Sequence, residues 1–187
     1  LTSIGIVLIL ITYFYYPMAK KGEILKDKTV QKEKGKEQTF TDEKSTKFTN
    51  IEYKGLYDLD KTFTVKSKDA YILDEEPDVV YMNSMEVYLY LNDGRIVRIV
   101  SDGGRYNKAT YDCFFEKNVK ATDGETEIFA ENLDLLATKN SVKIYNSVYL
   151  NYINGSLQAD NIDYNFETKY FKVSMFDENM IKMKVTK

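Results

Sequence analysis

Apolar and polar positions alternate along most of the chain beyond residue 48. Ile51-Glu52-Tyr53, Thr62-Phe63-Thr64-Val65-Lys66 and Glu86-Val87-Tyr88-Leu89-Tyr90-Leu91 each send every second side chain to one face. That period of two predicts half-buried β-strands. Asn92-Asp93-Gly94 then supplies turn residues, and Arg95-Ile96-Val97-Arg98-Ile99 resumes the alternation, which reads as a hairpin. No stretch after residue 47 keeps an apolar period of 3.6. The pattern predicts an all-β, antiparallel domain.

The alternation also repeats on a longer scale. A shift of 29 residues aligns Phe115–Tyr145 with Ile144–Ser174 without gaps. Ala130-Glu131-Asn132-Leu133-Asp134 falls on Ala159-Asp160-Asn161-Ile162-Asp163, and Val142-Lys143-Ile144 falls on Phe171-Lys172-Val173. A fainter copy precedes them, with Ile99-Val100-Ser101-Asp102 opposite Ile128-Phe129-Ala130-Glu131. Such a period marks stacked units, each too thin to bury its own apolar face. Alternation puts Val119 with Ala121 on one face, and likewise Ile128 with Ala130, Val142 with Ile144, Val148 with Leu150, and Leu157 with Ala159. Lys120, Glu127, Glu131, Lys143, Asp160 and Lys172 fall on the other face, toward solvent. The apolar face reads either as an ordinary sandwich core or as a trough between two sheets that holds a lipid chain. The Ala-acid-Asn-aliphatic-Asp motif reads as a turn signature at strand ends rather than as a metal site.

Two N-terminal zones precede this domain. Leu1–Met18, LTSIGIVLILITYFYYPM, carries no charged side chain. As a helix it would span about 27 Å, close to the roughly 30 Å of a bilayer's hydrocarbon core. Tyr13, Tyr15 and Tyr16 fall where an interfacial aromatic belt would sit. The run exceeds a typical signal-peptide core and offers no small-x-small cleavage site. Residues 1–19 are therefore expected to be a retained transmembrane anchor. The zone 20–47 holds nine Lys and six acids with few apolar residues, and it reads as a solvated linker. The domain is then expected over 48–187.

Charge and composition narrow the function. Residues 48–187 hold 17 basic and 23 acidic residues, net −6, a poor match for nucleic-acid phosphates. The chain has no His, so the usual catalytic triad and His-containing metal sites are excluded. No carboxylate pair stands in an apolar setting that would raise one pKa. No catalytic residue, metal ligand or cofactor is expected, and an enzyme is disfavoured. Cys113, beside Phe114 and Phe115, reads as a small buried residue rather than a reactive thiol.

Several of these segments together resemble the LptC family, the inner-membrane component of bacterial lipopolysaccharide export. The carriers are the Asp93-Gly94 turn, Ile99 through Asn107, the units ending at Val119 and Val148, and Asn154-Gly155-Ser156-Leu157-Gln158-Ala159, after a single N-terminal anchor. The chain departs from the family at Lys117 and Asn146, where members often carry Gly. The resemblance implies a slab-like antiparallel β-jellyroll, OstA-like, in the periplasm. It implies a non-enzymatic conduit that receives lipopolysaccharide from an inner-membrane ABC transporter and passes it to a soluble bridge protein of the same fold. Acyl chains would lie against Val119, Ile128, Ala130, Val142, Ile144, Val148, Leu150, Leu157, Ala159, Ile162, Phe171 and Val173. The transporter would dock at the first edge, with Phe48, Ile51 and Tyr53. The bridge would dock at the last, with Lys172, Met175, Ile181 and Met183. A soluble bridge with a cleaved signal peptide, and a carbohydrate-binding jellyroll whose Tyr-rich faces stack on sugars, are the competing readings.

Overall fold

The computed structural model describes residues 44–57, 61–91, 93–177 and 180–185. They belong to one unit, Gly35–Lys187. The expected anchor and nearly all of the expected linker lie outside the described residues. The first strand begins at Ser45, three residues ahead of the expected boundary. No helix among the described residues is long and apolar enough to cross a membrane.

Ten strands follow one another: β1 (Ser45–Tyr57), β2 (Lys61–Leu73), β3 (Val79–Tyr90), β4 (Ile96–Asn107), β5 (Cys113–Thr122), β6 (Glu127–Leu136), β7 (Ser141–Tyr152), β8 (Gly155–Asn165), β9 (Phe171–Ser174) and β10 (Lys182–Val185). Each of β1 to β8 pairs antiparallel with the next. The far side of β8 is shared, with β9 on Asn161–Tyr164 and β10 on Gly155–Gln158. The expected hairpin around residue 93 joins β3 to β4.

One sheet of this length cannot bury an apolar face unless it folds over. It does so along a line crossing the middle of every long strand. In β1 the line passes Asn50, in β3 Ser84, in β5 Lys117 and Asn118, and in β7 Asn146 and Ser147. All six residues have left-handed backbone, with φ between 50° and 65°. On the intervening strands the line passes Lys68, Asp102, Glu131 and Asp160. Lys117-Asn118 opposes one residue of β6, and Asn146-Ser147 opposes one of β8, so each is a two-for-one bulge. Bulges bend a strand and sharpen its twist. The two bulges stand 29 residues apart, and the sequence repeat is their trace.

The residues just inside the line are small on β2, β4, β6 and β8: Ser67, Ser101, Ala130 and Ala159, all buried. Ser67 Oγ lies 2.7 Å and 2.8 Å from the carbonyl oxygens of Asp69 and Asn83, and Ser101 Oγ donates to the Gly103 carbonyl at 2.7 Å. Outside the line, Asn118 Nδ2 donates to Asp102 at 2.6 Å and Asn146 Nδ2 to Asn132 at 2.7 Å. The Ala-acid-Asn motif is thus a mid-strand signature of the fold line and not of a strand end. The expectation failed because a mid-strand bend and a turn ask for the same residue types.

Folding brings the two leaves face to face. One leaf holds 45–49, 69–73, 79–83, 103–107, 113–116, 132–136, 141–145, 161–165 and β9; the other holds the remaining strand halves and β10. Tyr106 of the first leaf meets Tyr53 and Phe63 of the second at ring-centroid distances of 5.5 Å and 6.3 Å. Val65, Val80, Met85, Val87, Phe115, Leu133 and Leu135 are fully buried around them. Cys113 is buried there too, and burial pushes its thiol well above the ordinary range, so it is packing and not a nucleophile.

Gly104 and Gly103 test the close approach. A Cβ on Gly104 would stand 2.4 Å from the Phe114 carbonyl oxygen and 2.6 Å from Met85 Sδ, whereas one on Gly103 would meet only the Met82 carbonyl at 3.7 Å. Gly104→Ala is expected to lower unfolding free energy by about 1–3 kcal/mol, the usual cost of overpacking. Gly103→Ala should stay within about 0.5 kcal/mol of the parent. Urea melts of the two variants check this, and equal losses would mean that the leaves do not meet at Gly104.

Candidate functional site

The leaves pack tightly along the fold line and around Tyr106 and Phe63, and part elsewhere. Between them lies a cavity of about 400 Å³. Tyr57, Leu89, Val97, Ile99, Ala121 and Ile128 line it from one leaf, and Leu133, Val142, Ile144, Tyr164 and the loop residue Phe166 from the other. Leu91, Lys61, Asp93 and Lys169 complete the wall, the last three supplying its charge. The aromatic end is built from edge-on contacts. Tyr57 meets Phe166 at 5.4 Å and 62°, and Tyr164 meets Phe166 at 5.4 Å and 88°. Tyr57 Oη donates to the Tyr90 carbonyl at 2.8 Å, which turns its polar tip to the backbone and its ring to the cavity. The wall is otherwise aliphatic, suited to hydrocarbon rather than to a polar substrate.

The residues expected to touch lipid divide into three groups. Ile128, Val142 and Ile144 line the cavity. Val119, Ala130, Val148, Leu157, Ala159 and Ile162 are buried in the closed core, and Leu150 and Val173 are partly buried against it. Phe171 shares the inner face through its pairing with Tyr164, yet it is 50% exposed because β9 is an edge strand. The alternation identified the inner face but not where the leaves separate. Most of the cavity wall was missed, although Leu89, Leu91, Val97, Ile99 and Ala121 stand in the same alternating stretches. Tyr164 and Phe166 left no such signal.

The polar set behaves as alternation requires. Glu131, Lys143 and Lys172 are exposed. Lys120 and Glu127 pair at 2.6 Å, with Lys120 also over the Phe129 ring at 5.2 Å. Asp160 accepts the Phe176 amide at 3.0 Å. Among the described residues no group of three or more carboxylate, Cys or His ligands could hold a metal. Burial raises the pKa of Asp134, against the opposing pull of Tyr145 and Lys143, but Asp134 does not line the cavity.

The two edges differ. β1 ends the sheet with thirteen residues. Ile51 and Tyr53 lean partly buried on the core, and Phe48 is half-buried. At the other edge Met175 packs on the core, while Lys172, Ile181 and Met183 are exposed. No residue of β10 is buried.

No protein-family model matches the chain, and no curated protein matches it in sequence. The fold is similar to the crystal structure of LptH from Pseudomonas aeruginosa, described as the LptA-homologous periplasmic component of the conserved lipopolysaccharide transport device. The TM-score is 0.50 at 12% identity, over 67% of this chain and 95% of LptH. The chain therefore has the LptA-like jellyroll fold.

Ala121 lines the cavity, whereas Ala159 sits in the closed core beside the fold line. Ala121→Leu should fill open space and change stability by less than about 1 kcal/mol, while Ala159→Leu should cost about 1–3 kcal/mol. Thermal melts that rank the two in reverse would place the opening elsewhere between the leaves.

Proposed function

We propose that this chain is a non-enzymatic lipid conduit of lipopolysaccharide export, of the LptC type, anchored in the inner membrane with its β-domain in the periplasm. The observation that carries the proposal is the aliphatic cavity between the leaves of an LptA-like jellyroll. Each methylene taken from water into such a wall gains about 0.8 kcal/mol, so acyl chains bind without any bond being made. The one carboxylate on the wall, Asp93, is held below the ordinary range by the backbone amide and guanidinium of Arg95; it is a charged partner and not a proton donor. In this reading the chain takes lipopolysaccharide from an ABC transporter at the β1 edge. It hands the lipid to a soluble bridge of the same fold at the β9–β10 edge, since open strand edges accept further strands.

Photo-crosslinking side chains at Ile128, Val142 and Ile144 are expected to capture lipopolysaccharide in cells, and the same groups at Lys143 and Glu131 are not. Equal capture at both sets would reject the conduit. A second reading, the soluble bridge itself, is favoured by the likeness to LptH over nearly all of that protein. N-terminal sequencing separates the two: a mature chain that keeps Leu1–Met18 is expected here, and one starting after Met18 would make this the bridge.

A further inference from the structure

A second hollow, of about 340 Å³, lies on the outer face of the first leaf beside the fold line. It shares no wall residue with the cavity between the leaves. Tyr71 on β2 and Tyr81 on β3 bound it on one side, and Glu116 and Lys117 on β5 bound it on the other, with Asp102 and Gly103 of β4 between them. The two tyrosine rings are stacked, with centroids 5.0 Å apart and planes 8° from parallel. Tyr81 Oη donates to Glu76, so the aromatic wall is fixed from both ends.

The hollow exists because this unit of the repeat departs from the next. In the 29-residue alignment Gly103 falls opposite Asn132 and Asn161, and Lys117 falls opposite Asn146. Asn146 Nδ2 donates to Asn132 Oδ1 at 2.7 Å, and that pair fills the corresponding place in the next unit. Here Gly103 offers no side chain, and Lys117 has no ion-pair partner among the described residues. Folding explains neither residue. Gly103 does not have left-handed backbone, and a Cβ on it would meet only the Met82 carbonyl at 3.7 Å. Lys117 has φ 65°, where the Asn of the next unit would be less strained. A strand glycine with no conformational or packing reason marks a place where a ligand approaches the backbone closely.

The chemistry of the hollow selects the ligand. Glu116 also lacks an ion pair among the described residues, and Asp102 accepts Asn118 Nδ2 at 2.6 Å. Two carboxylates face one ammonium, a balance that disfavours anions. Hydroxyl groups donate and accept, so they can serve carboxylate and ammonium together. The weakly positive C–H groups on one face of a sugar ring suit the negative face of a tyrosine. We propose that the hollow binds one ring of a neutral saccharide, with its hydroxyls on Asp102, Glu116 and Lys117 and its C–H face on the tyrosine pair. The sheet itself lies between this site and the cavity, so an amphiphile seated between the leaves does not present its head here. The proposal therefore stands apart from the conduit reading.

Calorimetry on the full chain in amphipol, which carries no sugar, tests it with cellotriose and chitotriose. At least one should bind with Kd on the order of 1 mM or tighter. Gly103→Asn combined with Lys117→Asn rebuilds the pair of the next unit. This variant should keep the parent's urea midpoint and bind the trisaccharide about tenfold more weakly. Tyr81→Ala, on the outer face, should also weaken binding by about tenfold, while lipid capture at Ile128 stays as in the parent for both variants. Binding of neither trisaccharide by the parent overturns the proposal, and so does binding unchanged in the rebuilt pair. Trigalacturonate or trialanine bound as tightly as the neutral sugars would overturn the saccharide class. A loss of lipid capture at Ile128 in the rebuilt pair would overturn the independence of the two sites.

Discussion

Everything in this domain depends on a bend that most L-residues resist. A meander of eight long antiparallel strands has one apolar face, and that face must find a partner. Here the partner is the other half of the same sheet. The fold line needs left-handed backbone on β1, β3, β5 and β7 together, in register across the sheet. Asn50, Asn118 and Asn146 meet that need at low cost, because Asn tolerates the left-handed region. Ser84, Ser147 and Lys117 meet it at higher cost, offset by the burial that folding makes possible. Small residues inside the line let the backbones turn, and serine hydroxyls satisfy carbonyls that the bend removes from the ladder.

The cavity is a geometric consequence of that bend. Two leaves joined at a crease are closest beside it, and farther out they stay closed only where large side chains such as Tyr106 and Phe63 fill the gap. Near the crease Val119, Ala130, Val148 and Ala159 fill the space completely. Farther out, the side chains of Val97, Ile99, Val142 and Ile144 no longer reach across, and a space of about 400 Å³ opens. The aromatic cluster of Tyr57, Tyr164 and Phe166 borders that space. Core and site are therefore one surface at two separations. The inner face is thus a closed core in one part and the wall of a cavity in another.

The two edges tell the same story from outside. β8 has one continuous neighbour, β7, which bends through Asn146-Ser147. On its other side the bend is not made by a strand at all: β9, which ends at Ser174, and β10, which begins at Lys182, each cover half of β8. A chain that cannot pay for another left-handed bulge can still cover both leaves by leaving the sheet and returning. The β10 half does so with little burial, since Met183 and Val185 remain 68% and 74% exposed.

The amino-acid sequence by itself determined the strand content, the β3–β4 hairpin, the inner and outer faces and the 29-residue period, because each is a local property of alternation. It also carried the fold line, in the Ala-acid-Asn motif and at Lys117 and Asn146, although those residues do not by themselves distinguish a bend within a strand from a turn after one. Only the tertiary structure decided that the bends line up across the sheet, because that alignment depends on the register between strands. It alone decided which inward residues close the core and which line the cavity. Ile144 and Val148 carry the same pattern, yet Ile144 reaches the cavity wall and Val148 does not. It alone set Lys169 on the same cavity wall as Lys61 and Asp93, since Lys169 follows β8 in one leaf while Lys61 and Asp93 stand at neighbouring strand ends of the other.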